Sequence, residues 1–180
     1  MNPAWKRIAA AVTAIDHFTE RTGRLISWLT LLLVFVVCSV VVLRYLLNIG
    51  SIAMQESAMY LHAMVFLGAT AYTLKHNGHV RVDVFYRTMS PRRQALVNSL
   101  GTLFMLIPVC LFIGFMSWEY VTRSWQILEQ SANPGGLPFI YLLKSLLLVM
   151  VCTLLLQGLA ELLRSLMILA GIENRQEVSA

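Results

Sequence analysis

Nineteen consecutive residues from Leu25 to Leu43 carry no charge, and three further runs of the same kind follow: Ser57–Leu74, Gln94–Trp118 and Leu137–Ala160, the last interrupted only by Lys144. A bilayer core about 30 Å thick takes about 20 helical residues to cross. Lipid cannot hydrogen-bond a bare backbone, so runs of this length must be helices. The pattern predicts an all-α integral membrane protein, a single membrane domain with four transmembrane helices at about 25–47, 55–74, 92–118 and 137–160, then a tail over 161–180. Composition closes the other routes. Apolar residues make up 58% of the 180 and charged residues 13%, about half the charge of a soluble domain. That excludes a soluble enzyme, a disordered chain and a secreted disulfide scaffold. The first run is too long for a signal-peptide core and no small-residue cleavage site follows it, so it is expected to be retained.

Charge sets the expected orientation. Lys6, Arg7, Arg21 and Arg24 precede the first run. Lys75, Arg81, Arg87, Arg92 and Arg93 fall between the second and third, and Arg164 and Arg175 follow the fourth. Those eleven basic residues share one side, against Arg44 and Arg123 on the other, which predicts both termini and the second loop in the cytoplasm. The basic excess therefore records topology and does not call for nucleic acid. Trp5, Ile8, Val12, Ile15 and Phe18 recur at helical spacing, so residues 1–24 are expected to form a separate amphipathic helix on the cytoplasmic membrane surface, in contact with membrane lipids. Ser90-Pro91 reads as an N-cap followed by a first helical position. Asn133-Pro134-Gly135-Gly136 reads as a break before the fourth helix. Trp28, Tyr45, Tyr60, Trp118, Tyr120 and Trp125 fall near span ends, where aromatic belts form.

Residues that could carry chemistry are few. There is no phosphate-binding loop, no HExxH, no GxSxG and no carboxylate pair. Cys38, Cys110 and Cys152 are scattered in apolar runs and read as packing residues. A haem held between helices needs two facing imidazoles, and only His62 lies well inside a run, so no cofactor is expected. Ala58, His62, Ala69, Thr73 and His76 share one helical stripe of small and polar residues, which points to close helix contact and a hydrogen-bonded interface histidine; a proton relay through His62 is the alternative. Lys144 must snorkel or find a partner, with Glu56 and Glu119 on its side of the membrane. Arg44 and Glu56 flank one short outer loop and are placed to pair. At the cytoplasmic end of the second run Lys75, His76, His79, Arg81 and Asp83 crowd together, and the alternation through Val80, Val82 and Val84 predicts a bent stretch in which Asp83 acts as a latch.

The segment from Arg44 to Asp83 resembles the small membrane subunit, of DctQ type, of tripartite ATP-independent periplasmic (TRAP) transporters. The resemblance rests on Arg44-Tyr45, Glu56, Phe66-Leu67-Gly68-Ala69, Lys75, Gly78-His79 and Val80-Arg81-Val82-Asp83, with Leu137-Pro138, Tyr141 and Lys144 at the fourth helix. The chain departs from the family's Trp-x-Glu-Glu, having Met54-Gln55-Glu56, which touches the outer contact surface and not the fold. The resemblance implies a scaffold subunit of the bacterial inner membrane, not an enzyme. It would support a large elevator-type membrane subunit in Na+-coupled uptake of organic acids delivered by a periplasmic substrate-binding protein. Arg44, Tyr45, Glu56, His62, Gly68, Ala69, Lys75, Gly78, His79, Arg81, Asp83 and Lys144 become candidates for structural and partner contacts. The competing classes are a self-sufficient four-helix exchanger, which needs a carboxylate at mid-depth that this chain lacks, and a haem or quinone-enzyme anchor.

Overall fold

The computed structural model describes residues 3–79, 86 and 88–172. These residues are helical, with no strand among them: α1 (Pro3–Tyr45), α2 (Ile52–Gly68), α3 (Thr70–Lys75), α4 (Pro91–Gly101), a π-helical turn (Thr102–Leu106), α5 (Ile107–Gln126) and α6 (Ile140–Leu169). The helix α6 is the central post, and α1 to α5 all lean on it. Its buried positions, Val151, Gln157, Gly158, Ala160, Ser165 and Met167, run along most of its length.

Three helices are long and apolar enough to cross a membrane: Trp5–Tyr45, Pro91–Gln126 and Ile140–Leu169. The second apolar run forms α2 and α3, which meet at Ala69 (φ −82°, ψ −7°). Hydrogen bonds carry on across the joint, from Ala69 N to Val65 O at 3.1 Å and from Thr73 N to Ala69 O at 2.9 Å. The joint therefore bends the run without ending it.

Two expected boundaries differ. Residues 3–24 are not a separate surface element. They are the first half of one unbroken helix of 43 residues, about 64 Å long at 1.5 Å per residue, roughly twice the bilayer core. The stripe expected to lie on lipid instead turns partly onto the bundle, with Val12 only 6% exposed, although Phe18 remains outward. Nothing breaks the helix at Gly23, because that glycine serves contact: a Cβ there would sit inside the ring of Tyr72. The fourth helix begins at Ile140 and runs to Leu169, later at both ends than 137–160. Pro138 and the preceding glycines hold its start in the loop. Past Ala160 the polar residues find partners on α1, so the helix need not end.

Ser90 is the N-cap of α4 and Pro91 opens it, as expected, although the Ser90 side chain makes no capping bond. The π-helical turn has its cause in Pro108, which has no N–H to give Phe104 and crowds that carbonyl. The chain widens instead, and Ile107 N bonds back to Thr102 O. Large apolar side chains stay exposed along α1, the π-helical turn and α5, among them Trp28, Phe35, Phe104 and Phe115. Such a surface suits lipid or another membrane chain and not water.

Candidate partner interface and its polar clamps

At one end of the bundle the carboxylate of Glu56, in the first turns of α2, gathers the loop before α6. It accepts from Leu137 N (2.6 Å), from Asn133 Nδ2 (3.2 Å) and from Ser131 Oγ. The loop closes on itself through Ser131 N to Leu137 O at 3.2 Å. Gly136 is required there, since a Cβ would lie 2.7 Å from Glu56 Oε1. Glu56 is thus committed to the loop, and the expected pair with Arg44 does not form; Arg44 and Tyr45 are exposed at the end of α1.

Beside this clamp Lys144 reaches Glu129, not Glu56 or Glu119. Its ammonium also lies 3.9 Å from the centre of the Tyr120 ring, a cation–π contact that offsets its desolvation. Glu119 pairs instead with Arg123 one turn on, at 3.2 Å and fully in the open. Glu129 is aimed at Lys144 by a helix stop in which Leu128 takes φ 45°, Leu128 N bonds to Trp125 O and Glu129 N to Ser124 O. The Lys144 bond holds the Glu129 carboxyl below its ordinary range. Trp125 completes the group by donating to Ser145 Oγ at 2.8 Å and packing edge-on to Tyr141.

At the other end, the first half of α1 is fastened by two groups. Glu20 takes Lys75 at 2.7 Å, His76 at 2.9 Å and Arg24 at 2.9 Å. The Lys75 bond first, then those from His76 and Arg24, hold its pKa down at about 2. The second group sits between α1 and α6. Gln157, with no exposure at all, accepts from Thr19 Oγ1 at 2.7 Å and donates to Asp16 Oδ1 at 3.0 Å. Arg164 bonds to Asp16 and, one turn back, to Glu161. A buried amide with both its groups used ties two helices in one register.

The remaining candidates divide. Gly68 is a contact glycine, where a Cβ would meet Ile26 Cδ1 at 2.8 Å. Ala69 is the joint of α2 and α3. Gly78 takes part in the stop after α3: Gly78 N bonds to Thr73 O and Asn77 N to Leu74 O, with Asn77 at φ 53°. His79 is exposed. Arg81 and Asp83, and with them the expected latch, lie outside the described residues. His62 does not make the expected hydrogen bond. It is exposed, its ring stacked on Phe66 with centroids 6.2 Å apart. The stripe that carries it, Gln55, Met59, His62 and Phe66, is exposed at each position.

The group of Asp16, Thr19, Gln157, Glu161 and Arg164 was missed by sequence reasoning. A signal existed: Gln157 is a lone amide in an otherwise apolar run, and such residues face the bundle interior. Its partners carried no comparable mark.

The family described as "Tripartite ATP-independent periplasmic transporters, DctQ component" matches residues 33–167. Comparison with curated proteins and with solved structures returns no match.

Proposed function

The chain belongs to the DctQ component family and so is the small subunit of a TRAP transporter of the inner membrane; from that premise we propose that it is the fixed scaffold on which a large elevator-type subunit is mounted. In this reading the large subunit carries the Na+ and organic-acid sites, and a periplasmic binding protein delivers the substrate. Two further proposals complete the picture. The pair α2 and α3 supplies the fourth crossing, its 24 residues from Ile52 to Lys75 being about 36 Å long. The basic residues then place both termini in the cytoplasm.

The observation that carries the scaffold reading is the division of polar groups. Asp16, Glu20, Glu56, Glu129 and Glu161 are engaged in holding this chain's own helices and loops together. His62, near the middle of α2 and α3, instead points outward. An imidazole facing hydrocarbon at that depth is costly unless another chain covers it. The face Gln55, Met59, His62 and Phe66 is therefore assigned to the large subunit.

The test is co-purification with the large subunit. His62→Leu should insert and keep its own thermal stability but recover less of the two-subunit complex. A Leu variant that assembles and transports like the parent would move the interface off this face. Uptake by the small subunit alone in vesicles would overturn the scaffold reading itself.

A further inference from the structure

A groove of about 680 Å³ runs up the side of the bundle between the end of α3, α4, the π-helical turn, α5 and α6. Its inner wall is apolar, formed by Val97, Met105, Leu106, Val109 and Leu154. Its mouth is polar, with His79, Tyr86 and Asn98; Tyr86 donates to Asn98 Oδ1 at 3.1 Å. Met105 and Val109 are 71% and 53% exposed, so the groove opens sideways toward the bilayer and not into the bundle.

Its dimensions select an occupant. From Val97 to Val109 is twelve residues along the helix, about 18 Å, close to the depth of one leaflet of a core about 30 Å thick. Spread over that length, the open volume is ample for an extended hydrocarbon chain. The π-helical turn and Gly101 create the space: a Cβ on Gly101 meets nothing within 4 Å.

Charge complementarity identifies the other end of the occupant. Arg93 lies one turn before Val97 and two before Gly101, on the same helix face. It is exposed, with no acidic partner among the described residues. Among the described residues the one acid that lines the groove, Glu161, is already held by Arg164. The geometry points to a binding site for one anionic phospholipid, its acyl chain along Gly101 and Leu106 and its phosphate at Arg93. Guanidinium–phosphate pairing and basic recesses between helices are the usual means of such recognition. The leaflet concerned is the one beside the basic loop, and only that assignment rests on the orientation proposed above.

The full chain, alone and co-purified with the large subunit, is extracted from vesicles of equal phosphatidylglycerol and phosphatidylcholine and weighed by native mass spectrometry. One retained phosphatidylglycerol is expected in both preparations. Gly101→Leu starts from a Cβ that meets nothing within 4 Å and puts its side chain into the groove, so it should lose the lipid while keeping or raising thermal stability. Arg93→Gln should retain a lipid but lose about a fivefold preference for phosphatidylglycerol, the worth of one basic residue at an anionic surface. Lipid retention by Gly101→Leu equal to the parent, or no retained lipid in the parent, overturns the site. A lipid bound by the isolated subunit but absent from the complex also overturns it, and makes the groove a docking face for the large subunit.

Discussion

Gln157 shows what one side chain does in this bundle. Its amide links both Thr19 and Asp16 on one helix to the middle of α6 on another. Gln157→Leu keeps the volume but leaves the buried Thr19 hydroxyl without its partner, a loss of about 1–3 kcal/mol, while Asp16 keeps Arg164. Thermal unfolding in detergent should therefore fall by several degrees. A variant as stable as the parent would mean that the amide is not holding the two helices. Glu20 adds a pH dependence. Its pKa is lowered from 4.5 to about 2 by Lys75, His76 and Arg24. A depressed carboxylate pKa contributes stability in full above the unfolded value and loses it as pH falls through the folded one. The first half of α1 should thus show lower amide protection factors, with rates corrected for the intrinsic pH dependence of exchange, at pH 3 than at pH 7, and Glu20→Gln should show the lower protection already at pH 7. Equal protection factors at both pH values would show that Glu20 does not fasten the helix.

Among the elements, α1 and the α4–α5 rod show how glycine is used in two opposite ways. Gly23 admits the ring of Tyr72, whereas Gly101 faces open space. The same substitution should therefore differ in sign. Gly23→Ala forces its Cβ into a ring and should cost about 1–3 kcal/mol, as overpacking does. Gly101→Ala should gain about 0.8–1 kcal/mol from helix propensity. Melting curves of the two variants decide it, and two shifts of the same sign would contradict the packing described. The long α1 follows the same logic. Its charges do not end the helix because Asp16 and Glu20 find partners on α6 and at the end of α3.

For the whole molecule the orientation is open to a direct check. Reporter fusions at Ala180 and in the Ser51 loop should report opposite sides of the membrane; matching signals would contradict the four-crossing arrangement. Most of the architecture was legible beforehand because hydropathy is a property of consecutive residues. Each apolar run must satisfy its backbone alone in lipid, so Leu25–Leu43, Gln94–Trp118 and Leu137–Ala160 foretold the second half of α1, the α4–α5 rod and α6 without knowledge of their neighbours. The cap at Ser90-Pro91 and the break at Asn133–Gly136 are equally local. The candidate site was legible only in part. Gly68, Lys75 and Lys144 were singled out from the sequence and each makes a contact in the bundle, but Lys144 was given the wrong acids and Arg44 a pair it does not make. Partner choice depends on how helices are rotated and offset against one another, and no local rule contains that. Thr19 and Gln157 lie 138 positions apart in the chain, and only the packing of α1 on α6 brings them within 2.7 Å. The sequence by itself determined that this chain is a helical membrane protein and where its apolar runs lie; the tertiary structure alone decided how far the helices extend and which polar groups meet, because that follows from helix register and not from composition.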